Sequence, residues 1–312
     1  MPLDRKSVTH GSLLTSCLPD AHPPHHPNPA LALIALPSRA LLLFASFQIT
    51  ILALAASGAH AQLRPFEPMP TGVFDGIAQF SAEVGLSRLQ DQRASLAGTS
   101  GTLTELGLFA VAWRTGRVAL EVAGTARRNF EERSRFAAAD AEVAPSADGR
   151  RQDSGDYRIS TVLRFTPEHA PITGLLRFGT RLPTTDNRTG LDRDVTDFFF
   201  TLGASGARGP LTLAAEAGLG IHGTREPRFE QDDLLLYAAR AEWRAGAWTP
   251  SVMAVGQWHG IRHPDIRSVE DLGEVRLGLR YGRRHWVRVE GVRGHTRFAP
   301  SSGIRFTAGF VR

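Results

Sequence analysis

The chain has 312 residues, 42% of them hydrophobic and 21% charged, and its net charge is +5. Its 31 glycines and 19 prolines are too few for a collagen-like or disordered chain. The single cysteine, Cys17, excludes a disulfide framework and a zinc–thiolate site. After residue 61, no apolar run reaches the roughly 18 residues that a membrane-spanning helix needs.

An export signal is predicted near the N-terminus. The apolar stretch 40–56 follows Arg39, and Ala59 and Ala61 form an A-x-A cleavage site. We therefore expect residues 1–61 to be an N-terminal extension plus a cleavable signal peptide, and residues 62–312 to be a single domain. The alternative is an uncleaved N-terminal anchor.

Arginine supplies the positive charge after residue 61, where no lysine occurs. The whole chain carries +5 and the leader +1, which leaves +4 for residues 62–312. The arginines are interleaved with Asp and Glu rather than clustered, so we do not expect nucleic acid as a partner. Because arginine binds phosphate through two hydrogen bonds, it also suits lipopolysaccharide.

A two-residue alternation of apolar and polar side chains dominates residues 62–312. In residues 211–221, for example, Leu211, Leu213 and Leu219 alternate with Thr212 and Glu216. This pattern predicts strands with two different faces, and no stretch has a comparable helical period. The predicted strands are 77–87, 102–113, 117–127, 157–166, 172–182, 197–206, 211–222, 233–244, 248–259, 272–281, 285–294 and 303–311.

The connections between these segments alternate between short and long. The short ones are 114–116, 167–171, 207–210, 245–247 and 282–284. The long, polar ones are 88–101, 128–156, 183–196, 223–232, 260–271 and 295–302. An even number of strands with tight turns at one end indicates an all-β fold, a transmembrane antiparallel up-and-down β-barrel of about 12 strands. A soluble barrel or sandwich would show the same local alternation and is the alternative.

Aromatic residues flank the short connections, as expected for a girdle at one membrane interface. They are Trp113, Phe165, Trp243, Trp248, Tyr281 and Trp286.

The polar faces would point into the barrel lumen, where charged side chains determine selectivity. Glu83, Glu121 and Arg305 belong to this set. The predicted lumen-lining selectivity residues are Arg158, Arg164, Arg177, Arg181, Glu216, Arg240, Glu242, Glu274, Arg276, Arg280, Arg288 and Glu290. We predict no catalytic residue, no metal ligand and no cofactor.

The last segment carries a resemblance to a known signal. Ile304, Phe306, Ala308 and Phe310 alternate up to the C-terminus, as in the signal that the barrel-assembly machinery reads, although this chain ends on Val311-Arg312. The chain thus resembles a Gram-negative outer-membrane β-barrel. That resemblance implies a location in the cell outer membrane, contact with its lipid and lipopolysaccharide, and the assembly machinery as a partner.

A narrower resemblance covers residues 177–198. Arg177-Phe178-Gly179-Thr180-Arg181-Leu182-Pro183-Thr184, followed by a Gly/Asp-rich loop, is similar to a stretch in the MetA-pathway-of-phenol-degradation transporter group. This implies passage of small organic molecules, aromatic ones among them.

The resulting hypothesis is a narrow, porin-like pore or facilitator for small solutes, hydrophobic or aromatic ones included, and not an enzyme. One alternative is a structural or adhesive barrel with a plugged lumen, which works through loops such as 128–156. Another is an outer-membrane lipid hydrolase, although no His-x-Ser pair occurs after residue 61. The loop 186–194 offers oxygen ligands for calcium, but its spacing departs from the EF-hand pattern. An open lumen would favour transport, and a closed one the structural barrel.

Overall fold

A computed structural model describes residues 63–67, 79–139, 143–192, 194–221, 233–259 and 271–312. The predicted leader and the loops 223–232 and 260–270 lie outside these ranges. Within them, no helix is long and apolar enough to cross a membrane.

The described residues form thirteen strands, and their bounds agree closely with the predicted segments from residue 157 onward. The strands are β1 (Phe80–Ala94), β2 (Thr99–Thr115), β3 (Val118–Arg135), β4 (Arg150–Asp153), β5 (Tyr157–Arg164), β6 (Ile172–Leu182), β7 (Asp197–Arg208), β8 (Leu211–Ile221), β9 (Asp233–Trp243), β10 (Trp248–Trp258), β11 (Leu272–Gly282), β12 (His285–Gly294) and β13 (Ser302–Val311).

The sheet closes on itself. Each long strand pairs antiparallel with the next, β3 pairs with β5, and β1 pairs with β13 from Ser81↔Val311 to Gln90↔Ser302. The short strand β4 pairs only with the long-loop end of β3. The result is the predicted 12-stranded antiparallel barrel, which leaves no open sheet edge in a bilayer.

The barrel has an apolar outer face and a polar inner face. Leu277 is 66% exposed and Val287 55%, whereas Glu274 and Arg276 are almost fully buried. A soluble barrel or sandwich would bury its leucines and valines and expose its charges. The exposed apolar belt therefore identifies a transmembrane barrel.

The first three strands are longer than predicted, because the alternation inverts near the long-loop end of the barrel. There Leu89, Leu103 and Phe130 point inward and are buried, while Arg88 and Arg127 point outward. Outward polar residues mark strand beyond the lipid, where the sequence pattern predicted loops. The predicted loop 88–101 is instead largely a hairpin.

The aromatic girdle is confirmed for five of the six predicted residues. Trp113, Phe165, Trp243, Trp248 and Tyr281 are about half exposed beside the short turns. The prediction for Trp286 is wrong, because this side chain is 7% exposed and lies on the inward face with Arg288 and Glu290. It packs against Gly309, where an added Cβ would come within 2.5 Å of the indole ring.

Candidate functional site

The segment 63–67 lies inside the barrel. Leu63 packs in a buried apolar cluster with Leu89, Leu103, Phe130 and Leu191, at the long-loop end of β1–β3.

Phe66, three residues further on, packs against a different part of the wall. It contacts Leu234 and Leu236 of β9 and Phe199 of β7, with ring centroids of the two phenylalanines 4.4 Å apart. The segment therefore crosses the lumen between two parts of the barrel wall.

Two charged residues fix this segment to the wall. The guanidinium of Arg64 lies 2.6 Å from Glu274 and 3.6 Å from Glu105. The carboxylate of Glu67 lies 2.6 Å from Arg276 and 2.9 Å from Arg305. Each sign of charge on the segment meets the opposite sign on the barrel.

The ionised form of Glu67 is favoured by its surroundings. Burial alone would raise the pKa of Glu67, but the guanidinium groups of Arg276 and Arg305 outweigh burial and hold the pKa well below its usual range. The ion pairs of Glu67 therefore persist at neutral pH.

All twelve predicted lumen residues lie on the inner face of the barrel. Arg177, Arg181, Glu216, Glu274, Arg276 and Glu290 are buried there, and Arg158, Arg240, Glu242, Arg280 and Arg288 are partly buried. Arg164 is also buried, but its guanidinium donates to the carbonyls of Pro167 and Glu168 at 2.8 and 2.6 Å. It thereby holds the short connection after β5.

The middle of the lumen holds a network of opposite charges. Arg177 contacts Glu121 and lies 2.8 Å from Glu216, while the Ser160 hydroxyl donates to Glu121 at 3.0 Å. Because these partners come from different strands, the network joins β3, β5, β6 and β8 across the inner face.

A second charged cluster holds the loop 183–196 against the long-loop end of the lumen. Arg128 lies 2.5 Å from Asp192, and Arg181 lies 3.0 Å from Asp156 and 2.6 Å from Asp197. Burial, together with the neighbouring Asp192, raises the pKa of Asp156 to about 7 against the opposing effect of Arg181. This loop therefore folds inward.

The aspartates of this loop have partners within the chain. Asp186 accepts a hydrogen bond from the backbone N–H of Arg188 and caps a 3-10 turn at Asn187–Thr189. Asp192 pairs with two arginines. The described part of the chain contains no group of three or more metal-binding side chains.

The sequence analysis missed the segment 63–67 and Arg128, which it assigned to a loop. The available signal was the succession of Leu63, Arg64, Phe66 and Glu67 directly after the predicted cleavage site, which places large apolar and charged side chains of both signs close together.

A third feature lies at the short-turn end. Arg240, Arg280 and Arg288 point inward there, near the carboxylate of Glu242. Arg280 and Arg288 lie directly opposite each other on β11 and β12.

These features define a transmembrane β-barrel whose lumen holds the segment 63–67. No protein-family model and no curated protein matches the chain.

Among solved structures, the fold is similar to that of the COG4313 outer membrane channel from Pseudomonas putida F1. The TM-score is 0.56 at 12% identity, over 76% of this chain and 96% of that one.

Two further barrels align with TM-scores below 0.5. They are the CymD monoaromatic hydrocarbon channel (0.41, 10% identity, 77% of this chain and 90% of that one) and the outer membrane phospholipase A from Escherichia coli (0.39, 11%, 74% and 90%).

Proposed function

We propose that the protein is an outer-membrane channel or facilitator for small solutes, hydrophobic or aromatic ones among them, and not an enzyme. The observation that supports this proposal is a closed barrel with an apolar exterior and a charged interior. The predicted export signal and the fold similarity to an outer membrane channel are consistent with it.

One part of the inner wall offers an apolar surface. Phe199, Leu234, Leu236, Val255 and Leu272 are buried on the inner face of β7, β9, β10 and β11. Phe66 covers part of this surface, which would contact the apolar body of an organic solute once the segment 63–67 has moved. It supports the hydrophobic or aromatic solutes of the proposal.

The segment 63–67 would control passage. Beside it, Arg64, Glu67, Glu105, Arg158 and Arg305 border a polar cavity of about 80 Å³. A cavity of this size holds a few water molecules. An aromatic solute would pass only after the segment has moved.

Conductance tests the proposal. In planar bilayers, we expect the mature protein to conduct weakly, and the double variant Arg64→Gln plus Glu67→Gln to conduct several times more, because the segment loses its ion pairs. Arg133→Gln, an exposed position outside the lumen, is the matched control and should leave conductance unchanged.

A structural barrel with a plugged lumen is the second candidate, and the ion pairs of Arg64 and Glu67 favour it. It predicts that neither the mature protein nor the double variant conducts at any voltage. The lipid-hydrolase alternative has less support. A catalytic histidine would contact a serine nucleophile, whereas the ring of His295 hydrogen-bonds to the Tyr237 hydroxyl at 2.9 Å.

A further inference from the structure

The short-turn end of the lumen holds a pair of like charges directly opposite each other. Arg280 of β11 and Arg288 of β12 are cross-strand partners, and both point inward. Like charges in this arrangement destabilise a sheet unless something compensates them.

Another pair of like charges in the lumen has more partners. Arg158 and Arg181 are also direct cross-strand partners, on β5 and β6. Arg181, however, contacts Asp156 and Asp197 as well as Asp192, and Arg158 donates to the carbonyl of Glu67 at 2.8 Å.

The pair Arg280 and Arg288 has fewer and more distant partners. Arg288 lies 3.7 Å from Glu290, which Arg305 shares at the same distance. Glu242 lies 3.5 Å from Arg240. Arg280 forms no ion pair within 4.0 Å among the residues described, and its buried Nε has no hydrogen-bond partner. The guanidinium of Arg280 therefore faces the lumen without a close ion pair.

Arg288 is held in place by an aromatic ring. Its guanidinium carbon lies 4.7 Å from the ring centroid of Trp286, which is itself buried on the inner face. Stacking of this kind fixes the plane of a guanidinium and leaves its N–H edge available for a ligand. Trp286 is thus a positioning residue for Arg288.

We propose that Arg280 and Arg288 form an anion site that takes the carboxylate of a small organic solute on its way through the channel. The proposal rests on the proposed function and names the substrate class of the same lumen. Guanidinium groups bind planar oxyanions through paired hydrogen bonds.

Benzoate, benzyl alcohol and inorganic phosphate are suitable probes for calorimetric titration of the detergent-solubilised mature protein. We expect benzoate to bind, with its affinity reduced about tenfold in Arg280→Gln, because a charged hydrogen-bonding partner is lost. Benzyl alcohol, which lacks the charge, should bind much more weakly. Equal benzoate affinity in both proteins would overturn the proposal, and phosphate binding as tight as that of benzoate would overturn the carboxylate assignment.

Trp286→Phe tests the positioning role, since phenylalanine keeps a ring but is a poorer partner for a cation. Benzoate affinity should fall less than in Arg280→Gln. Arg284→Gln, at an exposed turn position, is the control and should bind like the parent protein. Heat-modifiable mobility in electrophoresis would show that each variant is folded.

Reversal potentials in a KCl gradient separate this inference from the channel proposal. We expect a preference for chloride that Arg280→Gln weakens. A conducting protein whose preference is unchanged in Arg280→Gln would overturn the anion site and leave the channel. If the protein did not conduct but bound benzoate in an Arg280-dependent way, the anion-site inference would stand and the channel proposal would be wrong.

The chain itself supplies one competing occupant. Asp75 is the only acidic residue between Glu67 and Gln79, and it lies outside the described residues. If benzoate bound to Asp75→Asn but not to the parent protein, the site would serve an internal ion pair, and the proposal would be wrong.

Discussion

Arg276 and Arg280 lie four residues apart on β11. Both point into the lumen, but their surroundings differ. Arg276 is paired with Glu67 and Glu274, whereas Arg280 has no ion pair among the described residues. The sequence assigned both to one selectivity set. In the structure, carboxylates neutralise the charge of Arg276, whereas the charge of Arg280 has no close ion pair.

Charge reversal should therefore separate the two arginines. The double change Arg276→Glu plus Arg280→Glu is expected to move ion preference toward cations, and Arg280→Glu alone should produce most of that shift. Arg276→Glu alone should mainly raise conductance, because it repels Glu67. Reversal potential and single-channel conductance measure the two effects, and an equal shift from each single variant would contradict this assignment.

Asp156 gives a pH prediction. Its pKa in the folded protein is raised to about 7 from an ordinary value of 3.8, mainly by burial. A raised pKa means that the folded state binds the proton more tightly, so the stabilisation is full below about pH 4 and is lost as the pH rises through 7. The free energy of unfolding should therefore fall between pH 5 and pH 8.

Asp156→Asn is the matched variant, because an amide mimics the protonated carboxyl. The fall in stability between the two pH values should be clearly smaller in this variant than in the parent protein, as measured by denaturant unfolding in detergent micelles. An identical fall in both proteins would assign the pH dependence to other groups.

At the scale of the elements, the apolar cluster at the long-loop end joins four strands, three connections and the segment 63–67. Leu191 of the loop 183–196 is fully buried there with Leu63 and Phe130. Leu191→Ala should cost about 2–5 kcal/mol, as for other buried leucines. Leu213→Ala, at a lipid-facing position, should cost much less in the same unfolding measurement.

The strands could be predicted because alternation along one strand already distinguishes lipid from lumen. Val84 and Leu86 face out while Glu83 faces in, and no distant residue is needed to see this. The same parity also places Trp286 with Arg288 and Glu290, so its inward position was accessible from the sequence. For Trp286, proximity to a turn was a weaker signal than its position in the alternation.

The extensions of β1–β3 and the segment 63–67 could not be predicted in this way. Beyond the lipid, apolar residues such as Leu89 point inward and polar residues point outward. This reversal of the alternation is typical of the end of a membrane-spanning strand. The five residues of the segment 63–67 are too few to show a periodic pattern. The partners of Arg64 and Glu67 are Glu274 and Arg276, which lie 210 and 209 residues away in sequence. Only the closed barrel brings them together.

At the scale of the whole molecule, the charge is distributed unevenly along the lumen. Acidic and basic residues pair in the middle and at the long-loop end, where the segment 63–67 lies, while arginine is in excess at the short-turn end. Buried ion pairs contribute little net stability, because desolvation offsets their attraction, but they do select one arrangement. We infer that these pairs specify where the segment sits.

Cysteine labelling can locate the segment, since the chain has no cysteine after residue 61. Phe66→Cys would lie among Phe199, Leu234 and Leu236, so a membrane-impermeant maleimide should react with it far more slowly than with Arg133→Cys, an exposed position. Adding Arg64→Gln and Glu67→Gln should speed labelling of Cys at position 66, because the ion pairs no longer hold the segment. Fast labelling of Phe66→Cys in the otherwise unchanged protein would place the segment outside the lumen.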